Sequence, residues 1–279
     1  MTYDDIWRRL AKRLGASEAR AVARMLLEEK FGMSFADILC GGVESLQADA
    51  VQWLECAVRR LEASEPVQYV LGEACFCGNR FSVAPGVLIP RPETEWLVDT
   101  IVSAYECNGE PPRILDIGTG SGCIAVSVKK ALPSAYVEAW DISADALRIA
   151  SGNAESLSAD VVFCRRDALG LEMPEEPCWD VIVSNPPYVC ARERESMDAN
   201  VLNFEPSLAL FVPDDDPLLF YRSITRYAKG ALRVGGRLLF ECNTLYAADT
   251  AVMMGGEGMR LARVCDDCFG KPRFAVGTK

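Results

Sequence analysis

The chain has 279 residues, half of them apolar, enough to bury a core and more than one average domain of about 100–200 residues requires. Its formal charge of -11 argues against phosphate-tracking nucleic-acid binding, and the absence of histidine excludes Ser-His-Asp and Cys-His nucleophilic sites and every metal site built on imidazole. No apolar run approaches the roughly 18 residues of a membrane span, and 1–10 is acidic and amphipathic rather than a basic, then greasy, export signal, so no membrane partner and a cytoplasmic location are expected.

Residues 1–64 read as short helices. Thr2 with Asp5 and Ser34 with Asp37 fit the capping box, Ile6, Leu10 and Leu14 recur at helical spacing, and Gly32 and Gly41 stand where helices end. Val51, Leu54, Val58 and Leu61 add another apolar face. After Glu65-Pro66 the period changes: 74–77 and 80–83 flank Gly78-Asn79, read as a tight turn with glycine at its first central position. This hairpin joins two expected domains, 1–72 and 87–279, with 73–86 as the linker. Leu88-Ile89-Pro90-Arg91-Pro92 leads to a helix over 95–104 with Trp96, Leu97, Ile101 and Val102 on its buried side, and 108–112 reads as a plain loop.

From Arg113 onward short apolar runs alternate with helical stretches, the pattern of an α/β domain with a parallel sheet covered on both faces. The strands fall at 114–117, 136–140, 161–164, 180–184, 237–241, 258–264 and 274–276. The twelve cysteines are scattered, several in apolar segments (Cys123, Cys164, Cys190), and read as mostly reduced, buried thiols. A structural zinc site would need Cys75/Cys77 and Cys265/Cys268 to converge with no other spacing in its favour, so no metal is expected.

Three segments carry chemistry. Residues 114–125 form a strand, a glycine-rich turn and a helix start, in which Gly118, Gly120 and Gly122 let backbone pass close to a ligand and the helix start offers unpaired N–H groups. Cys123 stands where a dinucleotide fingerprint needs glycine, and no phosphate loop is present, which favours a nucleoside without a pyrophosphate. Asp141, ending the next strand, stands where an acidic residue accepts from a ribose, although it also suits a helix N-cap beside Ser143 and Asp145. Asp167-Ala168 falls where a carboxylate meets an adenine amino group and its neighbour packs on the ring; an ordinary loop residue is the simpler reading of Asp167 taken alone. Last, Asn185-Pro186-Pro187-Tyr188 ends the strand at 180–184. Two prolines stiffen the loop and hold Asn185 and the Pro186 carbonyl as acceptors for both N–H bonds of a planar –NH2 group, whose nitrogen face is then open to a methyl donor. Tyr188 is placed to pack on the flat group.

With these motifs the chain resembles the peptide chain release factor N5-glutamine methyltransferase family (the HemK/PrmC group) over nearly its whole length. The likeness rests on Glu65-Pro-Val-Gln-Tyr-Val-Leu-Gly72, Val87-Leu-Ile-Pro-Arg-Pro-Glu-Thr-Glu95, the glycine turn with its flanks, Ser184-Asn-Pro-Pro-Tyr188, and Glu205-Pro206 with Ala209-Leu210. It implies a seven-stranded class I (Rossmann-like) S-adenosylmethionine-dependent methyltransferase domain, preceded by a small helical bundle that helps grip a release factor. It also implies methylation of the glutamine in the factor's Gly-Gly-Gln loop. The resemblance sets the cofactor against Gly118, Thr119, Gly120, Ser121 and Gly122, Asp141, Asp167 and Ala168, and Asn185. It sets the substrate glutamine against Asn185, Pro186, Pro187 and Tyr188, with Arg91, Glu93 and Thr94 bordering the cleft. Two stretches depart from the family pattern: Phe211–Pro217 replaces a glycine-containing turn, and Cys242–Tyr246 lacks a usual glutamine. A DNA adenine-N6 methyltransferase would use the same acceptor geometry on a flipped base, but the acidic balance and the lack of a basic, aromatic insertion disfavour direct nucleic-acid contact. A catalytically silent cofactor- and translation-factor-binding module is the alternative of another class.

Overall fold

In the computed structural model, residues 1–106 and 109–279 are described. Of the loop expected at 108–112, Asn108 lies outside them and 109–112 is neither helix nor strand. The chain divides into two compact units, 1–73 with 198–204, and 74–197 with 205–279.

The first unit is helical: α1 (Tyr3–Leu14), α2 (Ala16–Phe31), α3 (Phe35–Leu39), α4 (Ala48–Glu62) and α5 (Val67–Leu71). Both capping boxes form, with the side chains of Thr2 and Ser34 accepting from the amides of Asp5 and Asp37, and Gly32 ends α2 in the left-handed conformation. Ile6, Leu10, Leu26, Leu27, Leu54 and Val58 are its buried core, while Leu14 and Val51 sit only half-buried at its margin. Arg9 ties α1 to α4 through Glu55 and Glu62, each at 2.8 Å. Helix α5, which the sequence reading leaves out, follows Pro66 and closes on Gly72 in the left-handed region.

The second unit opens with a two-stranded hairpin, β1 (Glu73–Phe76) and β2 (Asn79–Ser82). Its turn is one residue earlier than expected. Cys77 (φ 45) and Gly78 (φ 68) are the central pair, so glycine stands second and the turn has positive φ at both positions. The Asn79 side chain braces it by donating to the Cys77 carbonyl at 2.9 Å. Helix α6 (Glu95–Tyr105) buries Leu97, Val98 and Ile101, and Trp96 and Val102 lie half-buried against the same core, Trp96 stacked on the buried Phe274 at 4.2 Å.

The elements that follow in the chain are β3 (Arg113–Ile117), α7 (Cys123–Ala131), β4 (Tyr136–Asp141), α8 (Ala144–Ser156), β5 (Val162–Arg165), β6 (Trp179–Ser184), β7 (Val189–Cys190), α9 (Ala199–Phe204), which belongs to the first unit, α10 (Ser207–Leu210), β8 (Phe211–Val212), α11 (Leu219–Ala231), β9 (Leu232–Glu241), α12 (Ala247–Gly256), β10 (Arg260–Asp266) and β11 (Pro272–Thr278). All seven expected strands form one sheet in the order β10-β11-β9-β6-β3-β4-β5, and β11 alone runs antiparallel to its neighbours. Successive strand residues face opposite sides. Ile114, Val181 and Leu239 meet α6 and α7, whereas Leu115, Ile182 and Leu238 meet α11 and α12, so both faces are dry and the strands read as continuous apolar runs. Strands β7 and β8 pair in parallel as a separate short ribbon, which seats the divergent 211–217 segment beside the Asn185–Tyr188 loop.

Candidate active site

Strand order reverses between β3 and β6, and a doubly wound sheet opens a crevice beyond the carboxyl ends of the strands at such a point. The glycine turn and the Asn185 loop leave the sheet side by side here. The buried Ser184 hydroxyl donates to the Ile117 carbonyl at 2.6 Å, which locks the two strand ends together.

The turn is held largely by its own backbone. The amides of Gly118 and Thr119 donate to the Trp140 carbonyl at 2.8 and 3.0 Å, Gly122 donates to the Thr119 carbonyl, and Gly120 donates to Asp141 Oδ2 at 2.9 Å. The amides of Gly118, Thr119, Gly120 and Gly122 are therefore engaged internally, whereas none of these bonds involves the amides of Cys123 and Ile124 at the helix start, where the sequence places open N–H groups. Gly118, Gly120 and Gly122 all have positive φ. A Cβ at Gly118 or Gly120 would meet nothing within 4 Å, which leaves open space over the turn, whereas at Gly122 it would stand 3.0 Å from the Ala150 Cβ. The first two thus serve close approach of a ligand and the third serves helix packing.

Beneath the turn Asp116 is fully buried. One oxygen accepts from the Thr119 hydroxyl at 2.6 Å and the other has no hydrogen-bond partner among the described residues. Burial lifts its carboxyl to about 7, against the Thr119 hydrogen bond. Asn153, also fully buried, joins three segments: it donates to the Ser121 carbonyl (2.9 Å) and the Ser82 carbonyl (3.0 Å), and accepts from the Ser82 amide (2.7 Å).

Asp141 and Ser143 share the work that the sequence left open. Ser143 is the N-cap of α8, and the second Asp141 oxygen accepts from the Ser143 amide at 2.9 Å. Asp167 is exposed and forms a local turn, accepting from the Leu169 amide at 2.9 Å, while the Ala168 carbonyl accepts from Ser223 at 2.6 Å.

On the opposite side, Asn185 directs its Nδ2 toward Thr94 Oγ1 at 3.5 Å, and the Thr94 hydroxyl donates to Glu241 Oε2 at 2.6 Å. Thr94 and Glu241 are both buried, and desolvation raises the Glu241 carboxyl above the usual range, opposed by Thr94 and Arg273. Among the described residues, neither Asn185 Oδ1 nor the Pro186 carbonyl has a hydrogen-bond partner. The Tyr188 ring packs on the cluster beneath β9 and its hydroxyl donates to Glu241 Oε1 at 3.4 Å; burial raises its pKa. Asn243, in the divergent 242–246 stretch, donates to the Tyr188 carbonyl at 3.2 Å and to Glu193. Arg91 pairs with the buried Glu205 at 2.7 Å, and Glu205 also accepts from the Ile89 amide.

These groups surround a cavity of about 350 Å³, within the range of small-ligand sites. Gly118, Thr119, Gly120 and Ser121 form one wall, Asp141 with Asp167 and Ala168 another, and Asn185, Pro186 and Pro187 a third. Gly122 and Tyr188 are not part of the lining, since Gly122 faces α8 and Tyr188 points toward Glu241. Arg91, Thr94, Phe220 and Ile224 complete the enclosure, and no group of three or more Cys, Asp or Glu side chains able to hold a metal occurs among the described residues. Of the cysteines, Cys123, Cys190 and Cys242 are buried, Cys164 is half-buried, and Cys40, Cys56, Cys75 and Cys268 are exposed; all eleven described are free thiols.

The structure adds Asn153, Glu205, Glu241 and Asn243 to the site, none of which lies in a reactive motif. Signals were available for two of them: Glu205 lies in the Glu205-Pro206 segment that helps carry the family likeness, and Glu241 is a carboxylate ending an apolar strand at the ligand-binding edge of the sheet.

Comparison with known proteins agrees with this architecture. Residues 93–203 match the model of the methyltransferase small domain, and residues 5–72 match that of the PrmC N-terminal domain. A release factor glutamine methyltransferase of Bacteroides thetaiotaomicron is 48% identical over 94% of this chain and 93% of its own length. One from Neisseria gonorrhoeae is 37% identical over 99% and 97%. The solved structure of a methyltransferase from Pyrococcus furiosus shares the fold, with a TM-score of 0.53 over 74% of this chain and 91% of that one at 16% identity. No helix among the described residues is long and apolar enough to cross a membrane. In sequence over nearly its full length, and in the fold that forms its crevice, this chain belongs to the release factor glutamine methyltransferase family.

Proposed function

We propose that the protein transfers the methyl group of S-adenosylmethionine to the side-chain amide nitrogen of the glutamine in the Gly-Gly-Gln loop of peptide chain release factors. The observation that carries this reading is the pair of unpartnered acceptors, Asn185 Oδ1 and the Pro186 carbonyl, on a proline-stiffened loop at the cavity.

In this reading Gly118, Thr119, Gly120 and Ser121 bring backbone against the cofactor, Gly122 holds the turn on α8, Asp141 accepts from the ribose, and Asp167 and Ala168 receive the adenine. The open space over Gly118 and Gly120, beside turn amides that are already engaged at Gly118, Thr119, Gly120 and Gly122, suits a nucleoside without a pyrophosphate. When bound, S-adenosylmethionine supplies an electrophilic methyl carbon on a sulfonium. The chain's own task is to present the nucleophile. Asn185 and the Pro186 carbonyl accept both N–H bonds of the glutamine amide, which turns the nitrogen face outward and stabilises the positive charge that grows on it. Pro187 and Tyr188 hold that loop in shape.

An amide nitrogen is a poor nucleophile, so positioning carries the reaction, and about 7–11 kcal/mol is available from it in well-aligned systems. No general base is needed before attack, because the proton leaves afterward from a strongly acidic nitrogen, in keeping with a chain without histidine. Residues 1–72 grip the release factor, 73–86 connect, and 87–279 perform the chemistry, without direct nucleic-acid contact. The test is incubation with radiolabelled cofactor and, separately, a bacterial class I release factor and duplex DNA. Label located by mass spectrometry on the Gly-Gly-Gln glutamine supports the reading; label on adenine, or on neither substrate, overturns it.

A further inference from the structure

We propose that Thr94 and Glu241 are positioning residues that decide which end of the Asn185 side-chain amide faces the substrate. The inference rests on the methyl-transfer reading above for its kinetic consequence but not for its geometry. A primary amide is nearly symmetric in shape, with a donor end and an acceptor end that exchange on a half turn. For Asn185 the difference is decisive: Oδ1 toward the cavity accepts from an incoming –NH2 group, whereas Nδ2 there would set donor against donor.

The hydrogen count of the contacts fixes the orientation. The Thr94 hydroxyl carries one hydrogen, and at 2.6 Å it is donated to Glu241 Oε2. Only lone pairs remain on Thr94 Oγ1 for its other neighbour, so the end of Asn185 lying 3.5 Å away must be the donor, Nδ2. Glu241 as the carboxylate, the form that the Thr94 hydrogen bond and Arg273 favour against burial, has no proton to give, and its second oxygen takes the Tyr188 hydroxyl. Every donor in the chain thus runs toward Glu241, and reversal would require a donor at that position. Both anchors are shielded, Thr94 at 2% and Glu241 at 1% exposure, so water does not replace either partner. Two charges act on Glu241 from outside the chain of hydrogen bonds: Arg273 favours its carboxylate and Glu93 opposes it. The long Asn185–Thr94 contact makes this a directional constraint more than a strong bond, and direction is what the acceptor needs.

Thr94→Val keeps the shape and removes the acceptor, Thr94→Ser keeps the hydroxyl, and Glu241→Gln introduces a donor that permits the reversed order. The full-length variants are labelled with 15N-asparagine, and exchange and chemical shift of the Asn185 Nδ2 protons are read without substrate. Methylation of a purified class I release factor is then measured as separate kcat and KM values. Thr94→Val and Glu241→Gln are expected to change the Asn185 amide signals and lower kcat roughly 10–100-fold, with the KM for S-adenosylmethionine within about threefold; Thr94→Ser stays near wild type in both. Unaltered Asn185 signals in Thr94→Val and Glu241→Gln, or full kcat in those two variants, overturns the proposal. Should Thr94→Val fail to fold, Glu241→Gln and Thr94→Ser decide it by the same two readouts. Failure of the wild-type chain to methylate the release factor would sink the proposed function, while the amide spectra would still decide the orientation.

Discussion

Replacing Asn153 by alanine tests how the glycine turn is held. The side chain has no solvent exposure and makes three hydrogen bonds of 2.7, 2.9 and 3.0 Å, one to the Ser121 carbonyl and two to the Ser82 backbone. Each is worth about 0.5–1.5 kcal/mol net, and a partner left dry costs more. Ser82 is exposed enough for water to recover part of the loss, whereas Ser121 is 2% exposed and its carbonyl is not rescued. The sum is roughly 2–4 kcal/mol, which for a domain of this size lowers Tm by roughly 5–15 °C. Because Ser121 forms part of the cavity wall, affinity for S-adenosylhomocysteine should also fall, by roughly 3–10-fold. Asn153→Asp is expected to be worse than alanine near pH 8, where a carboxylate would face two carbonyl oxygens. It should improve toward pH 5, where the protonated acid regains one donor. Thermal unfolding by circular dichroism and titration calorimetry measure both effects. An alanine variant with Tm within about 2 °C of wild type and unchanged affinity would refute the idea that this side chain holds the turn.

Other substitutions separate the roles within the cavity. Asn185→Ala should lower the methylation rate roughly 10²–10³-fold with a smaller change in cofactor affinity, the scale for deleting one preorganised polar partner; steady-state kinetics within a few-fold of wild type would count against it as an acceptor. Asp141→Ala removes the carboxylate that holds the Gly120 and Ser143 amides, so cofactor affinity should fall roughly 10–100-fold by calorimetry, and equal affinity would remove Asp141 from the binding wall. The pH dependence of stability should report Asp116, whose carboxyl is raised from 3.8 to about 7 by burial. For a raised acid the penalty is absent below the unfolded value, grows between the two values and is constant above the folded one. Asp116→Asn should therefore gain roughly 2–3 kcal/mol relative to wild type between pH 5 and pH 8 in urea unfolding, and a pH-independent difference would contradict the assigned shift.

The central strands β3 and β6 were readable because burial on both faces turns each into an apolar run, and the capping boxes because their signal lies within four residues. The hairpin turn slipped by one residue because Gly78 suits either central position; the deciding fact, Cys77 in the left-handed region with the Asn79 side chain donating to its carbonyl, leaves no mark in local propensity. The buried side of α6 was legible down to Trp96, although its particular partner, Phe274 on the last strand, was not.

The site divides along the same line. The Asn185 loop and the glycine turn are recognisable because prolines and glycines at strand ends dictate their backbone over a few residues. What holds them was not visible: Asn153 reaches the Ser82 backbone, 71 residues away in sequence, and Glu241 reaches Thr94 across 147. A buried polar side chain is specified by its partner rather than by its neighbours in sequence, and a lone Glu241 at the end of a strand reads only as a charge at the rim. The direction of a hydrogen-bond chain is less legible still, because Asn185 is the same residue in either orientation. In the proposed reading, recognition of a flat amide at this crevice thus depends on a motif that can be read locally and on a polarity supplied from elsewhere in the fold. Changes at Thr94 and Glu241 can therefore alter chemistry while every residue of the Asn185–Tyr188 loop stays the same.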